Sequence, residues 1–510
     1  MTAPAWTPHL PAGTSFAPGD LTADGSLVAA WIARWRAEPA CQVVHDASTG
    51  WATGADLERG SRAVAARLAG AGVQRGDRVL LSGPNSLDLV LAHIGCLRLG
   101  AVVVPVNGAY REQEIAHVVR DCAPRAAVVR DAMWPAWIRA VEPGCFAITP
   151  RELARVASSP LDQIPDIAPM DDVSPGDPAI IGYTSGTTGA PKGAVLTHAN
   201  VLAGAAAVRL AWRWRPDDRL VLCLPLFHMH GLGVGLHGTL LAGGSVVLLD
   251  GFDADEVLDA ARAHAATLFF GVPTMYHRLA DSDRVAELGR LRLCVAGSAP
   301  LAAALHDTLA AAGVRVLERY GMTETVMLVS NPYDGERRAG TVGFPLPGVE
   351  LRLAGGDDGE IEVRGPNVFA GYWHRPDETA ASFTDDGWFR TGDLGAIDHD
   401  GYVRVVGRSK ELIISGGFNV YPREVEDTLA QHPAIAEVAV VGRPSAEWGE
   451  EVTAYVVVRA GHRPPSVDEL RTWGRSRLAP YKLPRAVLVL GSLPRNALGK
   501  VVKGSLPTGP

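Results

Sequence analysis

The sequence predicts an α/β fold in which a large N-terminal domain is followed by a small α+β domain. Alanine-rich stretches of helical character alternate with short β-branched runs, and this texture changes late in the chain. The chain of 510 residues is also too long for one ordinary core. Apolar residues make up 47% of it and charged residues 20%, a balance typical of a globular protein.

The first part of the chain predicts sheets with parallel strands. A helix is expected over 54–71, and strands are expected over 78–82, 101–106, 219–224, 245–249, 267–270 and 292–296. A helical or loop segment follows each of the later runs, and strands joined by such crossovers pair in parallel. Helices should therefore cover both faces of these sheets.

The last part of the chain predicts smaller pieces. From about residue 341, short strands and turns indicate a mainly antiparallel, β-barrel-like subdomain. A mixed pattern then predicts helices over 422–431 and 466–478 and strands over 436–441, 452–458 and 486–490. We place an N-terminal domain at 1–409 and a small mobile C-terminal domain at 410–510, with a hinge near 408–411.

Charge and composition exclude several classes of protein. The net charge of −8 opposes binding to nucleic acid or to anionic lipid. Six scattered cysteines without a C-x-x-C pair favour neither a disulfide framework nor a zinc site. Neither a secretory signal nor a membrane-spanning apolar run is found, so we expect a cytoplasmic protein without a membrane partner.

One loop carries the strongest chemical signal. The segment 183–193, YTSGTTGAPKG, follows an apolar strand and combines three glycines, four Ser or Thr hydroxyls and a lysine. Glycines let backbone N–H groups converge on an anion, and hydroxyls and a lysine add donors and charge, so the loop suits a polyphosphate. It is not a Walker A loop, because the glycine spacing differs and Gly193 follows the lysine where Ser or Thr is required.

The segment TSGTTGAPKG resembles the signature of the adenylate-forming superfamily, which includes acyl-CoA synthetases, aryl-CoA ligases, luciferases and peptide-synthetase adenylation domains. Further similar segments follow in the expected order: 320–325 (YGMTET), 371–373 (GYW), 388–393 (WFRTGD), 407–410 (GRSK), 415–426 (SGGFNVYPREVE) and 496–500 (NALGK). The resemblance spans about residues 180 to 500. It implies an enzyme that uses ATP, Mg²⁺ and coenzyme A and forms an acyl-adenylate and then a thioester.

The resemblance also implies which residues bind the nucleotide. Tyr320 would stack on adenine, Thr323 would donate to the α-phosphate, and Glu324 would bind Mg²⁺ through a hard oxygen ligand. The other ATP-binding residues implied here are those of the phosphate loop and the glycine after Tyr320: Thr184, Ser185, Gly186, Thr187, Thr188, Gly189, Lys192 and Gly321.

Later motifs imply further roles. Asp393 would accept hydrogen bonds from the ribose hydroxyls, and Arg408 would lie near the ribose and the α-phosphate. Lys500 would bridge the attacking carboxylate and the α-phosphate during adenylation. The small domain would then rotate about Lys410. The pantetheine tunnel would be lined by Gly416, Gly417 and Phe418.

The acid is expected to bind near His228, which is also a candidate base or orienting residue. The segments 319–325, 330–338 and 340–348 are especially similar to malonyl-CoA synthetases. Arg292 either pairs with the distal carboxylate of malonate or has a structural role, in which it caps a strand edge or pairs with a structural acid. The remaining acid-binding candidates are Met229, Ser298 and Met322, and the size of Met229 leaves a methylated or another short acid open.

Other functions remain open at this stage. Within the class, the alternative to malonate or methylmalonate is a medium-chain or aryl acid. A standalone adenylation enzyme could load an acyl carrier protein, since both acceptors present the same thiol. Lys192, Glu324, Asp393, Arg408 and Lys500 are all present, which argues against a non-catalytic nucleotide sensor. An amino acid substrate is disfavoured because His228 stands where such adenylation domains usually carry aspartate.

Overall fold

The computed structural model describes residues 4–130, 132–154, 170–184, 191–356, 358–415, 418–445, 448–496 and 499–507. The chain divides into two units. The large unit comprises Met1–Leu301, Leu305–Leu351 and Val363–Phe389, and the small unit comprises Ala302–Ala304, Arg352–Glu362 and Arg390–Pro510. The predicted domain boundary at 409–410 lies inside the small unit and stays a prediction.

The described strands are β1 Gln42–Asp46, β2 Gly50–Thr53, β3 Arg78–Ser82, β4 Val102–Pro105, β5 Ala126–Val129, β6 Phe146–Ile148, β7 Pro178–Thr184, β8 Lys192–Thr197, β9 Arg219–Leu222, β10 Ser245–Leu248, β11 Leu268–Gly271, β12 Leu293–Ala296, β13 Val316–Tyr320, β14 Val329–Ser330, β15 Phe344–Pro345, β16 Glu350–Ala354, β17 Asp358–Arg364, β18 Gly371–Tyr372, β19 Phe389–Ile397, β20 Val403–Arg408, β21 Ile413–Ser415, β22 Phe418–Val420, β23 Ile435–Ser445, β24 Gly449–Val458 and β25 Ala486–Leu490.

The described α-helices are α1 Leu27–Ala37, α2 Gly54–Gly70, α3 Leu87–Arg98, α4 Glu112–Cys122, α5 Trp134–Val141, α6 Pro150–Ala154, α7 His198–Ala211, α8 His237–Ala242, α9 Ala254–Ala263, α10 Pro273–Ala280, α11 Ala303–Ala311, α12 Pro376–Ala381, α13 Pro422–Leu429 and α14 Val467–Gly474. A π-helical turn, His230–Leu236, precedes α8. Among the described residues, no helix has the length and apolar character that crossing a membrane requires.

Two sheets organise the large unit. Within the described residues, one has the strand order β15-β14-β13-β12-β11-β9-β10-β1-β2 and the other β18-β8-β7-β4-β3-β5-β6. Five consecutive strands of the first sheet run parallel: β10, β9, β11, β12 and β13. The second sheet also has five parallel strands in a row: β7, β4, β3, β5 and β6. Strands such as LCVA of β12 are buried throughout, as parallel strands covered on both faces must be. The predicted α/β class is confirmed.

The small unit contains a second type of architecture. Strands β16, β17, β19 and β20, most of whose residues belong to the small unit, form a four-stranded sheet, in which β19 and β20 pair antiparallel. The last strands form a mixed sheet, in which β24 pairs antiparallel with β21 and β23 and parallel with β25. The helix predicted over 466–478 is shorter in the structure, because α14 ends at Gly474. A Cβ on Gly474 would lie 2.6 Å from Leu483 Cδ2, so Leu483 packs directly against the end of the helix.

Candidate active site

The candidate site of the large unit lies at the carboxyl edge of the nine-stranded sheet. Gly271 of β11 pairs with Ala296 of β12, and Ala296 pairs with Glu318 of β13, so these strands end side by side. Ser298 follows β12 by two residues, and Tyr320 ends β13. Ligands of parallel α/β sheets bind at this edge. The topology therefore brings several predicted residues to one side of the sheet.

A tight turn after β13 holds the predicted phosphate and metal residues. Thr323–Thr325 forms one 3₁₀ turn, and a Cβ on Gly182 would lie 2.5 Å from Thr323 Cγ2, so the end of β7 packs directly against this turn. The amide of Asn367 donates to the backbone oxygens of Thr325 at 2.8 Å and Met327 at 2.7 Å. The glycine at 182 is required by this close approach.

Glu324 is 4% exposed and receives a hydrogen bond from Tyr372, whose hydroxyl lies 3.0 Å from Oε1. Burial and the neighbouring charge of Glu324 raise the pKa of Tyr372, so its hydroxyl stays protonated and donates. No group of three or more His, Cys, Asp or Glu side chains suited to a metal occurs in the described ranges. A magnesium ion at Glu324 would therefore take most of its oxygen ligands from a bound nucleotide and water.

Lys192 begins β8, and its ammonium forms an ion pair with Glu378 of α12. The same ammonium lies 5.0 Å from the centroid of the Tyr372 ring. On the preceding strand, Tyr183 donates to Asp121 at 2.6 Å. Thr184 ends β7, and its hydroxyl donates weakly to the backbone oxygen of Lys192 at 3.4 Å. The predicted phosphate residues Ser185, Gly186, Thr187, Thr188 and Gly189 lie outside the described residues.

The histidine segment follows β9. His228 is half-buried, and its Nδ1 accepts from the backbone N–H of His230 at 3.3 Å. Ser298 lies 3.3 Å from His230 Nδ1, which joins the ends of β9 and β12. Met229 is buried, and a Cβ on Gly233 would lie 2.4 Å from its methyl carbon. The structure thus brings His228, Met229 and Ser298 to the carboxyl edge of this sheet.

Arg292 lies at the opposite edge, so the predicted contact with the acid needs correction. It precedes β12, and six residues at about 3.3 Å each separate it from Ser298, or about 20 Å along the strand. Its guanidinium pairs with both carboxylate oxygens of Asp218, at 2.7 Å for Nε to Oδ1, and donates to the backbone oxygen of Trp212 at 3.1 Å. Of the two roles considered for Arg292, the structure matches pairing with a structural acid.

Arg319 is the cation at the carboxyl edge. It is 5% exposed, and a Cβ on Gly297 would lie 2.4 Å from its Nε, so the guanidinium packs against the backbone next to Ser298. Its Nε and Nη2 have no hydrogen-bond partner within the described part of the chain. Burial lowers the pKa of Arg319 to about 9, which leaves it charged at neutral pH.

In the small unit, Asp393 of β19 and Arg408 of β20 are cross-strand partners. Arg408 Nε lies 3.2 Å from Asp393 Oδ1, and the carboxylate is nearly buried whereas the guanidinium is half-exposed. A buried carboxylate next to an exposed guanidinium leaves one face of this pair open to solvent. The structure therefore joins the two residues that the resemblance assigns to the ribose.

Lys500 sits in a turn with internal hydrogen bonds. The backbone N–H of Lys500 donates to Asn496 Oδ1 at 3.0 Å, and the N–H of Asn496 donates to the backbone oxygen of Lys500 at 2.9 Å. Lys410 is exposed in the 3₁₀ turn Ser409–Glu411. Phe418 is 55% exposed and stacks on Tyr481 at 4.6 Å between ring centroids. Gly416 and Gly417 lie outside the described residues.

Comparison with protein families decides the identity of the fold. The model of the AMP-binding enzymes matches residues 28–373, and that of the AMP-binding enzyme C-terminal domain matches residues 424–500. The chain belongs to the AMP-binding enzyme family. The predicted resemblance to adenylate-forming enzymes is thereby confirmed.

Relatives of this AMP-binding enzyme span nearly its whole length. A feruloyl-CoA synthase of Amycolatopsis sp is 38% identical over 487 residues, which cover 93% of this chain and 97% of the relative. A malonate–CoA ligase of Arabidopsis thaliana is 36% identical and covers 86% of this chain and 78% of the relative. The crystal structure of ATP-bound MatB from Rhodopseudomonas palustris is 40% identical with a TM-score of 0.87, covering 94% of this chain and 98% of that one.

This AMP-binding enzyme is an acid–thiol ligase that uses ATP, since its curated relatives are CoA ligases and an ATP-bound structure is among its neighbours. The relatives named here act on different acids, so they do not select one. Three residues that sequence analysis left without a role emerge from the structure: Tyr372, Glu378 and Arg319. The available signal for Arg319 was its place in the segment 319–325, since no strand was predicted over β13, in which it lies.

Proposed function

We propose that this AMP-binding enzyme converts malonate or methylmalonate to its CoA thioester through an acyl-adenylate. One observation carries the choice of acid: a buried arginine, Arg319, has Nε and Nη2 without hydrogen-bond partners in the described residues at the ligand-binding edge. An unpaired buried charge is costly, and a carboxylate on the ligand would supply the missing partner. A monocarboxylic acid uses its only carboxylate in the reaction and leaves this cation unpaired.

The surroundings of Arg319 support a short acid. The planar guanidinium can bind a carboxylate through two parallel hydrogen bonds, and the Ser298 hydroxyl lies one residue beyond Gly297, against which Arg319 packs. Met229 is buried against Gly233 and takes up volume next to this edge. A distal carboxylate separated from the reacting one by a single carbon atom, as in malonate and methylmalonate, would fit this arrangement better than a long chain.

The first step would be attack of the acid on ATP. A carboxylate oxygen would bond to the α-phosphorus while pyrophosphate leaves, so the protein contributes positioning and charge neutralisation. Lys192 would bind phosphate oxygens, Thr323 would donate to the α-phosphate, and Tyr320 would stack on adenine. Glu324 would hold Mg²⁺, which when bound neutralises phosphate charge.

The small unit would contribute the remaining groups. Asp393 would accept from the ribose hydroxyls, Arg408 would lie beside the α-phosphate, and Lys500 would reduce repulsion between the two anions as they approach. For the second step we propose rotation of residues 410–510 about Lys410. Gly416, Gly417 and Phe418 would then line the path of the pantetheine thiol.

Product analysis tests the choice of acid. Purified enzyme would receive ATP, Mg²⁺ and coenzyme A with acids from acetate to octanoate, and with malonate, methylmalonate, benzoate and ferulate. We expect kcat/KM to be highest for malonate or methylmalonate, with masses of the corresponding CoA thioesters. A clear preference for ferulate, benzoate or octanoate, with malonate inert, would discard the role proposed for Arg319.

The same assay addresses the acceptor. If turnover requires an acyl carrier protein and does not occur with coenzyme A, the proposed function changes from CoA ligase to carrier-protein loading. We keep coenzyme A as the proposed acceptor because relatives along the whole chain are named as CoA ligases.

The two-step mechanism is tested by separating the half-reactions. Lys500→Ala should lower adenylation about a thousandfold, since it removes charge stabilisation at the reacting phosphate. Thioester formation from supplied acyl-adenylate should remain largely intact. Lys410→Pro should show the reverse pattern, because a fixed φ at the hinge hinders rotation. If either variant lost adenylation and thioester formation equally, the separate roles proposed for Lys500 and Lys410 would be wrong.

A further inference from the structure

We infer that Glu378 is a positioning residue for nucleotide binding, which holds the Lys192 ammonium beside Tyr372, the side chain that also contacts the proposed magnesium ligand Glu324. The inference rests on the proposed phosphate role of Lys192. Glu378 is separated from Lys192 by more than 180 residues, and no motif of the sequence analysis includes it. The experiment below separates failure of this inference from failure of the proposed function.

The first support is the ion pair between Lys192 and Glu378. Their side chains are 32% and 38% exposed, so the pair is accessible to water. Ion pairs of this exposure contribute little to folding stability. We therefore explain the pair by its effect on the conformation of the Lys192 side chain rather than by its effect on folding stability. It restricts a flexible side chain with several rotatable bonds to one direction.

The second support is that Glu378 is itself held in place. Arg375 donates to its Oε1 at 3.0 Å, and Arg375 also lies 3.6 Å from Asp121 of α4. The segment that precedes α12 is fixed to β8, because the backbone N–H of Trp373 donates to the oxygen of Gly193 at 2.8 Å. Glu378 is therefore attached to the strand that Lys192 begins.

The third support is contact on another side of the lysine. The Tyr372 ring lies 5.0 Å from the Lys192 ammonium, and the Tyr372 hydroxyl donates to Glu324. One aromatic side chain thus contacts both the proposed phosphate ligand and the proposed magnesium ligand. With Glu378 and Tyr372 as neighbours, Lys192 has few alternative directions.

Charge balance explains why Glu378 does not repel a nucleotide. The carboxylate is shared by two cations, Lys192 and Arg375, and both hold its pKa below the ordinary value. With Asp121, which lies 3.6 Å from Arg375, two cations and two carboxylates balance, so no net negative charge remains next to Lys192. A triphosphate can therefore bind to Lys192 without displacing Glu378, and the lysine bridges the two anions.

The test compares Glu378→Gln with wild type in the separated half-reactions. We expect KM for ATP in pyrophosphate exchange to rise about tenfold with kcat within about twofold, because ground-state binding of the phosphates is weakened. Thioester formation from supplied acyl-adenylate, which contains no pyrophosphate, should stay unchanged. The matched control is Glu350→Gln, which removes the exposed pair with Arg364 and should alter neither step.

A double-mutant cycle completes the design. Lys192→Met alone should raise KM for ATP, and adding Glu378→Gln to it should have little further effect, since Glu378 acts through the lysine. The inference is overturned if Glu378→Gln leaves KM for ATP unchanged or slows both half-reactions equally. It is also overturned if Glu378→Gln raises KM for ATP as much in the Lys192→Met background as in wild type. If Lys192→Met itself leaves KM for ATP unchanged, the proposed phosphate role fails instead.

Discussion

The two edges of the nine-stranded sheet hold arginines in opposite states. Arg292 precedes β12 at the amino edge, and Asp218 neutralises it through both carboxylate oxygens. Arg319 lies near the end of the neighbouring strand β13 and is more deeply buried than Arg292, but its Nε and Nη2 are unpartnered among the described residues. The same residue type thus serves structure at one edge and remains available to a ligand at the other.

The difference follows from the geometry of parallel sheets. At the amino edge, Asp218 precedes β9 and accepts from Thr267, which precedes β11, at 2.7 Å, so the polar groups there satisfy one another. At the carboxyl edge the chain turns away into loops and leaves space for a ligand. The free-energy cost of a buried polar group without a partner is tolerated at such an edge, because a bound ligand can supply the missing hydrogen bonds.

The largest effect should come from Arg319→Met, which keeps volume and removes the charge. If this cation binds the distal carboxylate, kcat/KM for malonate should fall about a thousandfold, in line with loss of a buried charge-assisted pair. Thermal stability should be unchanged or higher, because an unpaired buried charge is removed. Steady-state kinetics and a thermal melt check both. A variant that keeps malonate activity would remove the functional contrast between the edges.

The next effect should be on stability, from Arg292→Met. This change leaves the Asp218 carboxylate buried without its cation, and such losses cost about 3–5 kcal/mol. Urea unfolding should show the loss, whereas kcat/KM of the folded enzyme should change little. As a control, the double variant Asp218→Asn and Arg292→Met should recover part of the stability. A large kinetic effect with normal stability would place Arg292 in the binding site after all.

A pH dependence should sharpen the same contrast. Burial by itself would raise the pKa of Asp218, but hydrogen bonds from Arg292, Thr267 and a backbone N–H hold it below the ordinary 3.8. The pair thus stabilises the protein above that value, and this contribution is lost as pH falls through the lowered pKa.

Without Arg292, burial should raise the pKa of Asp218, so that protonation relieves the unpaired charge at mild acidity. The stability difference between wild type and Arg292→Met should therefore shrink between neutral pH and about pH 4. Urea titrations at several pH values measure it. A difference that does not vary with pH would show that lost packing, not charge, explains the destabilisation.

The smallest effect should come from Ser298→Ala at the carboxyl edge. Its hydroxyl offers one neutral hydrogen bond, worth about 0.5–1.5 kcal/mol, so kcat/KM for malonate should fall about two- to tenfold. Activity with propionate, which lacks the second carboxylate, should change less. Equal changes for both acids would indicate that Ser298 orients His230, 3.3 Å away, rather than the distal carboxylate.

Much of the fold was predictable because local patterns agree with it. The strands expected over 78–82 and 486–490 match β3 and β25, and parallel pairing followed from the intervening helices. The site was predictable only where residues cluster in motifs. Arg292 was a candidate for the acid because its partner Asp218 lies 74 residues earlier, and a local sequence pattern does not reveal such a contact.

Contacts between distant segments explain what the sequence could not predict. Glu378 and Tyr372 meet Lys192 only because β18 pairs with β8, a register that local propensity does not determine. Conversely, for the loop residues Ser185–Gly189 and for Gly416 and Gly417, which lie outside the described residues, the motif remains the source of the prediction.

The backbone of Val326 lies at φ 58° and ψ −69°, the rare and strained conformation of a classic γ-turn, which β-branched residues seldom adopt. A Cβ on Gly204 of α7 would lie 2.8 Å from Val326 Cβ, and one on Gly233 would lie 3.4 Å from its Cγ1. Two glycines far apart in sequence thus provide the space for the Val326 side chain, which directly follows the turn Thr323–Thr325. Attempts to reshape the acid pocket by enlarging residues of α7 or the π-helical turn would therefore also displace the carboxylate proposed to hold magnesium.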